Sequence, residues 1–92
     1  LRTLSSFLSF MATITILGAG VMGSAFSFPL ADNSHTVNLV GTHLDAEIIQ
    51  SLKTNGYHPG LKVKLPERVK ALEWTHLSEA LEGTDLIVLG VS

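Results

Sequence analysis

The sequence predicts an α/β fold built on a doubly wound parallel sheet, and three observations carry that expectation. The β-branched run Thr13-Ile14-Thr15-Ile16-Leu17 leads straight into Gly18-Ala19-Gly20-Val21-Met22-Gly23. A helical pattern begins at once behind the glycines. Further strand candidates recur at residues 36–41, 69–74 and 85–91, with helical stretches between them. Alternating strands and helices are joined by right-handed crossovers, which makes the sheet parallel. About four strands are expected, in spatial order 3-2-1-4.

Each glycine of the first turn has its own physical reason. Gly18 allows a tight strand-to-helix turn, and Gly20 lacks the Cβ that would hold a pyrophosphate away from the backbone. Gly23 lets the helix pack closely on the strand. The N–H groups and dipole at the helix start favour anionic phosphates. A bare G-x-G-x-x-G is a weak signal, because glycine-rich turns also serve purely structural ends. Flanked by a strand, a helix and a second strand, it marks a Rossmann-like dinucleotide site.

Behind the turn, Met22, Ala25, Phe26, Pro29 and Leu30 recur at helical spacing and read as one buried stripe. Pro29 removes the bond to the Ala25 carbonyl and should kink the axis. Asp32-Asn33-Ser34 ends the helix. The second strand is expected at 36–41, followed by an amphipathic helix marked by Leu44, Ile48, Ile49 and Leu52. Asp45 and Glu47 stand in the first turn of that helix, and Asn55-Gly56 stops it. Residues 55–67 read as a long loop with two prolines and two glycines, a length that is usually functional in a small domain. A short strand over Val69–Trp74 follows. Thr75 is then expected to cap a helix carrying Leu77, Ala80 and Leu81, which Gly83 closes. Asp85 to Val91 does not alternate and reads as a fully buried parallel strand.

Length and composition set the bounds. The 92 residues allow one small domain, and a 46% hydrophobic composition can supply its core. A net charge of −2 gives no general attraction to nucleic acid or to an anionic membrane surface. No run of about 18 apolar residues exists that could span a bilayer. Lys53, Lys62, Lys64, Arg68 and Lys70 cluster in one region, which reads as a solvated face or a docking surface for a phosphorylated ligand. With no cysteine, disulfides and thiolate chemistry are excluded, which fits a reducing, cytoplasmic setting. Leu1 to Phe10 faintly resembles a secretory leader, but cleavage behind it would cut into the first strand. Met11 reads as the natural start, residues 1–12 as an extension outside the fold, and the end at Ser92 as a truncation.

Cofactor choice turns on the end of the second strand. A site selective for NAD places an acid there, about 20 residues past the glycines, on the ribose 2′-hydroxyl. Gly41-Thr42-His43 stands there instead, and the nearest acid, Asp45, belongs to the next helix. A 2′-phosphate could meet Thr42 and His43, so both NAD and NADP are expected, with a lean to NADP. His35 reads as a turn residue, His76 as a solvated one at a helix start and Trp74 as packing. The four histidines lack the i+3 or i+4 spacing of a metal site, and no metal is expected. Ser24, Ser27 and Ser34 have no adjacent base. No catalytic constellation is legible.

The stretch Ile16-Leu17-Gly18 to Ala25, with Pro29-Leu30-Ala31-Asp32-Asn33 and His35-Thr36-Val37, resembles the start of NAD(P)-dependent glycerol-3-phosphate dehydrogenases. The likeness continues through Asn55-Gly56-Tyr57-His58-Pro59-Gly60 and Leu65-Pro66, and ends in Ala80-Leu81-Glu82-Gly83-Thr84-Asp85 to Ser92. It covers residues 13–92, and its loop is more specific than its glycines. The resemblance implies reduction of dihydroxyacetone phosphate to sn-glycerol 3-phosphate, a step that supplies phospholipid synthesis. It implies that Gly18, Ala19, Gly20, Val21, Met22 and Gly23 hold the pyrophosphate, Val21 and Met22 through their backbone. Thr42 and His43 would meet the ribose, and Tyr57 the adenosine side. The catalytic lysines of the family lie beyond Ser92, so this chain alone is expected to be inactive, and the resemblance leaves homo-oligomerisation open. Ketopantoate reductase shares the opening turn but not the 55–66 loop. A non-catalytic nucleotide-sensing module would usually carry the acid that residues 41–43 lack.

Overall fold

A computed structural model describes residues 12–90. The expected extension falls on residues 1–12 and the last strand was expected to reach Val91, so residues 1–11 and Val91 lie outside the described residues. Ala12 does not: it is buried in the core, and its N–H donates to Nδ1 of His35 at 3.0 Å.

Strand β1, Thr13–Leu17, is the centre of the sheet. It pairs in parallel with β2, Thr36–Val40, on one side and with β6, Leu86–Leu89, on the other. Beyond β2 lies β5, Val69–Leu72, also parallel. The order β5-β2-β1-β6 is the expected 3-2-1-4. Period-2 alternation divides the side chains between two faces. Ile14, Ile16, Val37 and Leu39 point to one face, where they pack with Leu30, Ile49 and Leu52. Those three come from helix α1, Val21–Asp32, and helix α2, Ala46–Asn55. Val40 and Leu72 point to the other face and meet Ala80 of the short helix α3, Leu77–Leu81. On that face Thr15 is buried, its hydroxyl bonded to the Ala80 carbonyl at 3.0 Å. Two helices on one face and one on the other are what right-handed crossovers require on either side of a sheet that grows from its centre.

Several expectations need correction. The face that α1 buries is Gly23, Ser24, Ser27, Leu30 and Ala31, not the stripe through Met22 and Phe26. Met22 is 81% exposed and Phe26 44%. Small residues win the buried face because the helix lies too close to the strands for large ones. A Cβ on Gly23 would stand 2.7 Å from the Gly18 carbonyl oxygen and 3.0 Å from Cα of Gly90. The helix runs through Pro29 to its cap at Asn33, whose side-chain amide donates to the Pro29 carbonyl at 2.7 Å.

Residues 55–67 are not simply a loop, because β3, Tyr57–His58, pairs antiparallel with β4, Val63–Lys64. The third strand of the sheet stops at Leu72, and Trp74–His76 form a 3-10 turn, so Thr75 lies inside that turn and caps nothing. Trp74 is half exposed, and His35 is buried rather than a surface turn residue. The last strand, read as fully buried, leaves Ile87 50% and Leu89 70% exposed, because it is the edge of the sheet among the described residues. An exposed ion pair of 2.9 Å between Lys53 and Glu73 links the end of α2 to the residue behind β5.

Candidate functional site

The chain leaves β1 through Gly18, whose φ of 108° a side chain would not tolerate. The Gly18 N–H bonds the Val40 carbonyl at 2.7 Å, so the turn opens level with the end of β2. Gly20 is the N-cap of α1, with extended backbone (φ −66°, ψ 177°) and no side chain to cap the helix. The first turn of α1 contains no acidic residue, so the N–H groups of Val21 and Met22 meet no local anion. A Cβ built on Gly20 finds no protein atom within 4 Å, which is the open approach a phosphate needs.

Two cavities flank this turn at the carboxyl ends of the strands. One, of about 420 Å³, lies between the start of α1 and the end of β6, lined by Val21, Met22, Phe26 and Leu89 among others. The other, of about 260 Å³, lies toward β2 and is lined by Thr42, His43, Leu44 and Asp45. Gly20 and Gly90 border both. The crevice sits where the chain crosses from one side of the sheet to the other, the switch point at which open α/β sheets bind ligands.

The β2 side holds a residue whose place the sequence did not disclose. Asp45 closes a 3-10 turn over His43–Asp45, and its carboxylate turns back toward the glycines. Oδ2 accepts from the Thr42 N–H at 2.9 Å, the Thr42 hydroxyl at 3.1 Å and the Ala19 N–H at 3.1 Å. Burial opposes the Asp45 charge. The N–H groups of Thr42 and Ala19, the Thr42 hydroxyl and nearby His43 outweigh it, and the carboxyl is held below the usual aspartate range. The crevice therefore contains a carboxylate, contrary to the expectation that no acid would oppose a 2′-phosphate. Linear spacing assigned Asp45 to the next helix, and the tight turn returned it. The Thr42 hydroxyl, expected to face a 2′-phosphate, is engaged with Asp45 and with the Leu44 N–H.

A family profile described as the N-terminus of NAD-dependent glycerol-3-phosphate dehydrogenase matches residues 13–92. The chain belongs to that family. It is 44% identical over 79 residues to an NADP(+)-dependent glycerol-3-phosphate dehydrogenase of Archaeoglobus fulgidus, covering 86% of this chain and 23% of that protein. It is 41% identical over 83 residues to a glycerol-3-phosphate dehydrogenase [NAD(P)+] of Bacillus pumilus, covering 88% of this chain and 23% of the other. The crystal structure of glycerol-3-phosphate dehydrogenase from Coxiella burnetii superposes with a TM-score of 0.72 at 28% identity, over 86% of this chain and 24% of that one. The chain thus spans about a quarter of the length of these relatives.

Within this family member, the structure brings together Gly18, Gly20, Val21, Met22, Gly23, Thr42 and His43 around one crevice. Ala19 is buried beneath it, with no exposed surface. Tyr57 lies in the β3–β4 hairpin and lines neither cavity beside the turn. Three residues escaped the sequence reading. Gly90 packs backbone to backbone on Gly23, a role its position after an apolar run could have suggested. Asp45 could have been found from Thr42-x-x-Asp45, the pattern of a capping box, which the structure contains. His58 lies in the stretch that carries the family likeness, but its spacing gives no sign of a contact with Ala19.

Proposed function

We propose that this chain forms the cofactor-binding part of an NAD(P)-dependent glycerol-3-phosphate dehydrogenase, which interconverts dihydroxyacetone phosphate and sn-glycerol 3-phosphate. One observation carries the reading: an uncapped helix start whose N-cap glycine opens onto a crevice at the switch point of a parallel sheet. The bound nicotinamide supplies the hydride. The chain's own residues bind and orient: the backbone of Gly20, Val21 and Met22 donates to the pyrophosphate, and Gly18 and Gly23 set the turn. Thr42 and His43 border the ribose, and Ala19 and Tyr57 are the two expected contacts that neither cavity supports.

Both dinucleotides are accepted in this reading, because the Asp45 charge is already shared among three donors. No nucleic acid or membrane partner enters it, given the net charge of −2. Among the described residues no helix is long and apolar enough to cross a membrane, and the cysteine-free sequence suits the cytoplasm. Calorimetric titration of the chain with NADP+ and with NAD+ tests the proposal. Saturable binding of either one that competes with ADP-ribose supports it, and no binding of either refutes it.

A further inference from the structure

Ala19 is held from three sides. Its N–H donates to Asp45, as above, and its carbonyl oxygen accepts from the Ser24 hydroxyl at 3.0 Å and from Nε2 of His58 at 2.9 Å. These partners come from the turn behind β2, from α1 and from the β3–β4 hairpin. His58 is itself fully buried. Its Nδ1 accepts the N–H groups of Gly60 and Leu61, both at 3.1 Å. An Nδ1 that accepts two N–H groups carries no proton, so the ring is neutral and its single N–H is on Nε2, directed at the Ala19 oxygen.

The Ala19 carbonyl and the Gly20 N–H belong to one planar trans peptide and point in opposite directions. His58 and Ser24 grip the carbonyl on the buried side. The Gly20 N–H is thereby turned toward the crevice, where Gly20 borders both cavities. Cradles whose donors are already aligned bind anions without the cost of ordering them.

We propose that His58 is a positioning residue for the dinucleotide pyrophosphate, acting through the Ala19–Gly20 peptide. The hairpin that carries it is then a brace for the glycine turn rather than a contact surface for adenosine. The inference rests on the dinucleotide reading above.

The test uses the whole chain with NADP+ as the probe, at a temperature where each variant is folded. His58→Met fills the volume without an N–H donor, and His58→Gln restores one. The methionine variant is expected to lose about tenfold in NADP+ affinity, roughly the worth of one misdirected hydrogen bond to a charged group. The glutamine variant should recover most of it. A merely structural role would lower both melting temperatures and leave the affinity of the folded protein unchanged, and that result would overturn the proposal, as would equal losses in both variants. Should His58→Met fail to fold, nitrogen NMR of the wild-type imidazole decides: a proton on Nε2 alone supports the clamp, and a proton on Nδ1 overturns it. A wild-type chain that binds no NADP+ refutes the dinucleotide reading and this inference with it, whereas variants that bind like wild type refute this inference alone.

Discussion

Replacing Gly20 with alanine should separate binding from folding. Its backbone angles suit any residue, and the added methyl meets no protein atom within 4 Å. The native state therefore pays no steric cost, while the unfolded chain loses freedom, for a net gain of up to about 0.4–1 kcal/mol. The same methyl occupies the open space through which a phosphate reaches the backbone. Disturbing one or two charge-assisted hydrogen bonds costs about 2–3 kcal/mol, or roughly 30- to 150-fold in affinity. Gly23→Ala should do the reverse. Its methyl would lie 2.7 Å from a backbone oxygen and 3.0 Å from a backbone carbon, neither of which can rotate away. Overpacking of that kind costs about 1–3 kcal/mol, a fall of roughly 4–20 °C in a domain of this size. Calorimetric titration with NADP+ and thermal melts of the two variants give the four numbers needed. A Gly20→Ala protein that binds as wild type, or one that melts as low as Gly23→Ala, would refute the reasoning.

Three further outcomes are expected. Asp45 has a folded pKa below its ordinary value of 3.8, so its contribution is fully present above that pH and is lost as pH falls through the lower folded value. Asp45→Asn should flatten the acid limb of a urea-stability profile at a cost near neutral pH of about 1–2 kcal/mol, and an unchanged acid limb would contradict the triple hydrogen bond. Thr42→Asp places a second carboxylate beside Asp45 and should weaken NADP+ more than NAD+ in paired titrations, whereas equal losses would remove Thr42 from the ribose site. The chain by itself should not oxidise NADPH when given dihydroxyacetone phosphate, since hydride transfer needs a proton donor or cation at the carbonyl. No lysine lines either cavity beside the turn, and a substrate-dependent loss of the reduced-nicotinamide absorbance would overturn this.

The sheet was legible because its strands announce themselves by composition and its order follows from crossover handedness. Gly18, Gly20 and Gly23 were legible because each meets a backbone demand that no other residue satisfies. The buried face of α1 was misread because apolar periodicity assumes that the largest residues face inward. Here Gly23, Ser24 and Ser27 do so instead, leaving Val21, Met22 and Phe26 to line the crevice. Asp45 and His58 were missed for another reason. Each acts on Ala19 across 26 and 39 residues of chain, and hydrogen bonds to a backbone amide or carbonyl demand nothing of the partner's side chain. Such bonds leave no mark on the sequence at Ala19, and only the Thr42-x-x-Asp45 spacing hints at where Asp45 turns.

The contact between Gly23 and Gly90 bears on the order in which the molecule can be made. A chain emerging from the ribosome presents its glycine turn early, but the backbone that α1 rests against belongs to the last residues described here. Until β6 has been synthesised and has paired with β1, the start of α1 has nothing to seat on along that side. The phosphate cradle therefore matures late in folding, as the closing of a loop that runs from Gly23 to Gly90. Slow steps in refolding should accordingly report on recruitment of β6, and a dinucleotide added early would find its site only after that strand has arrived.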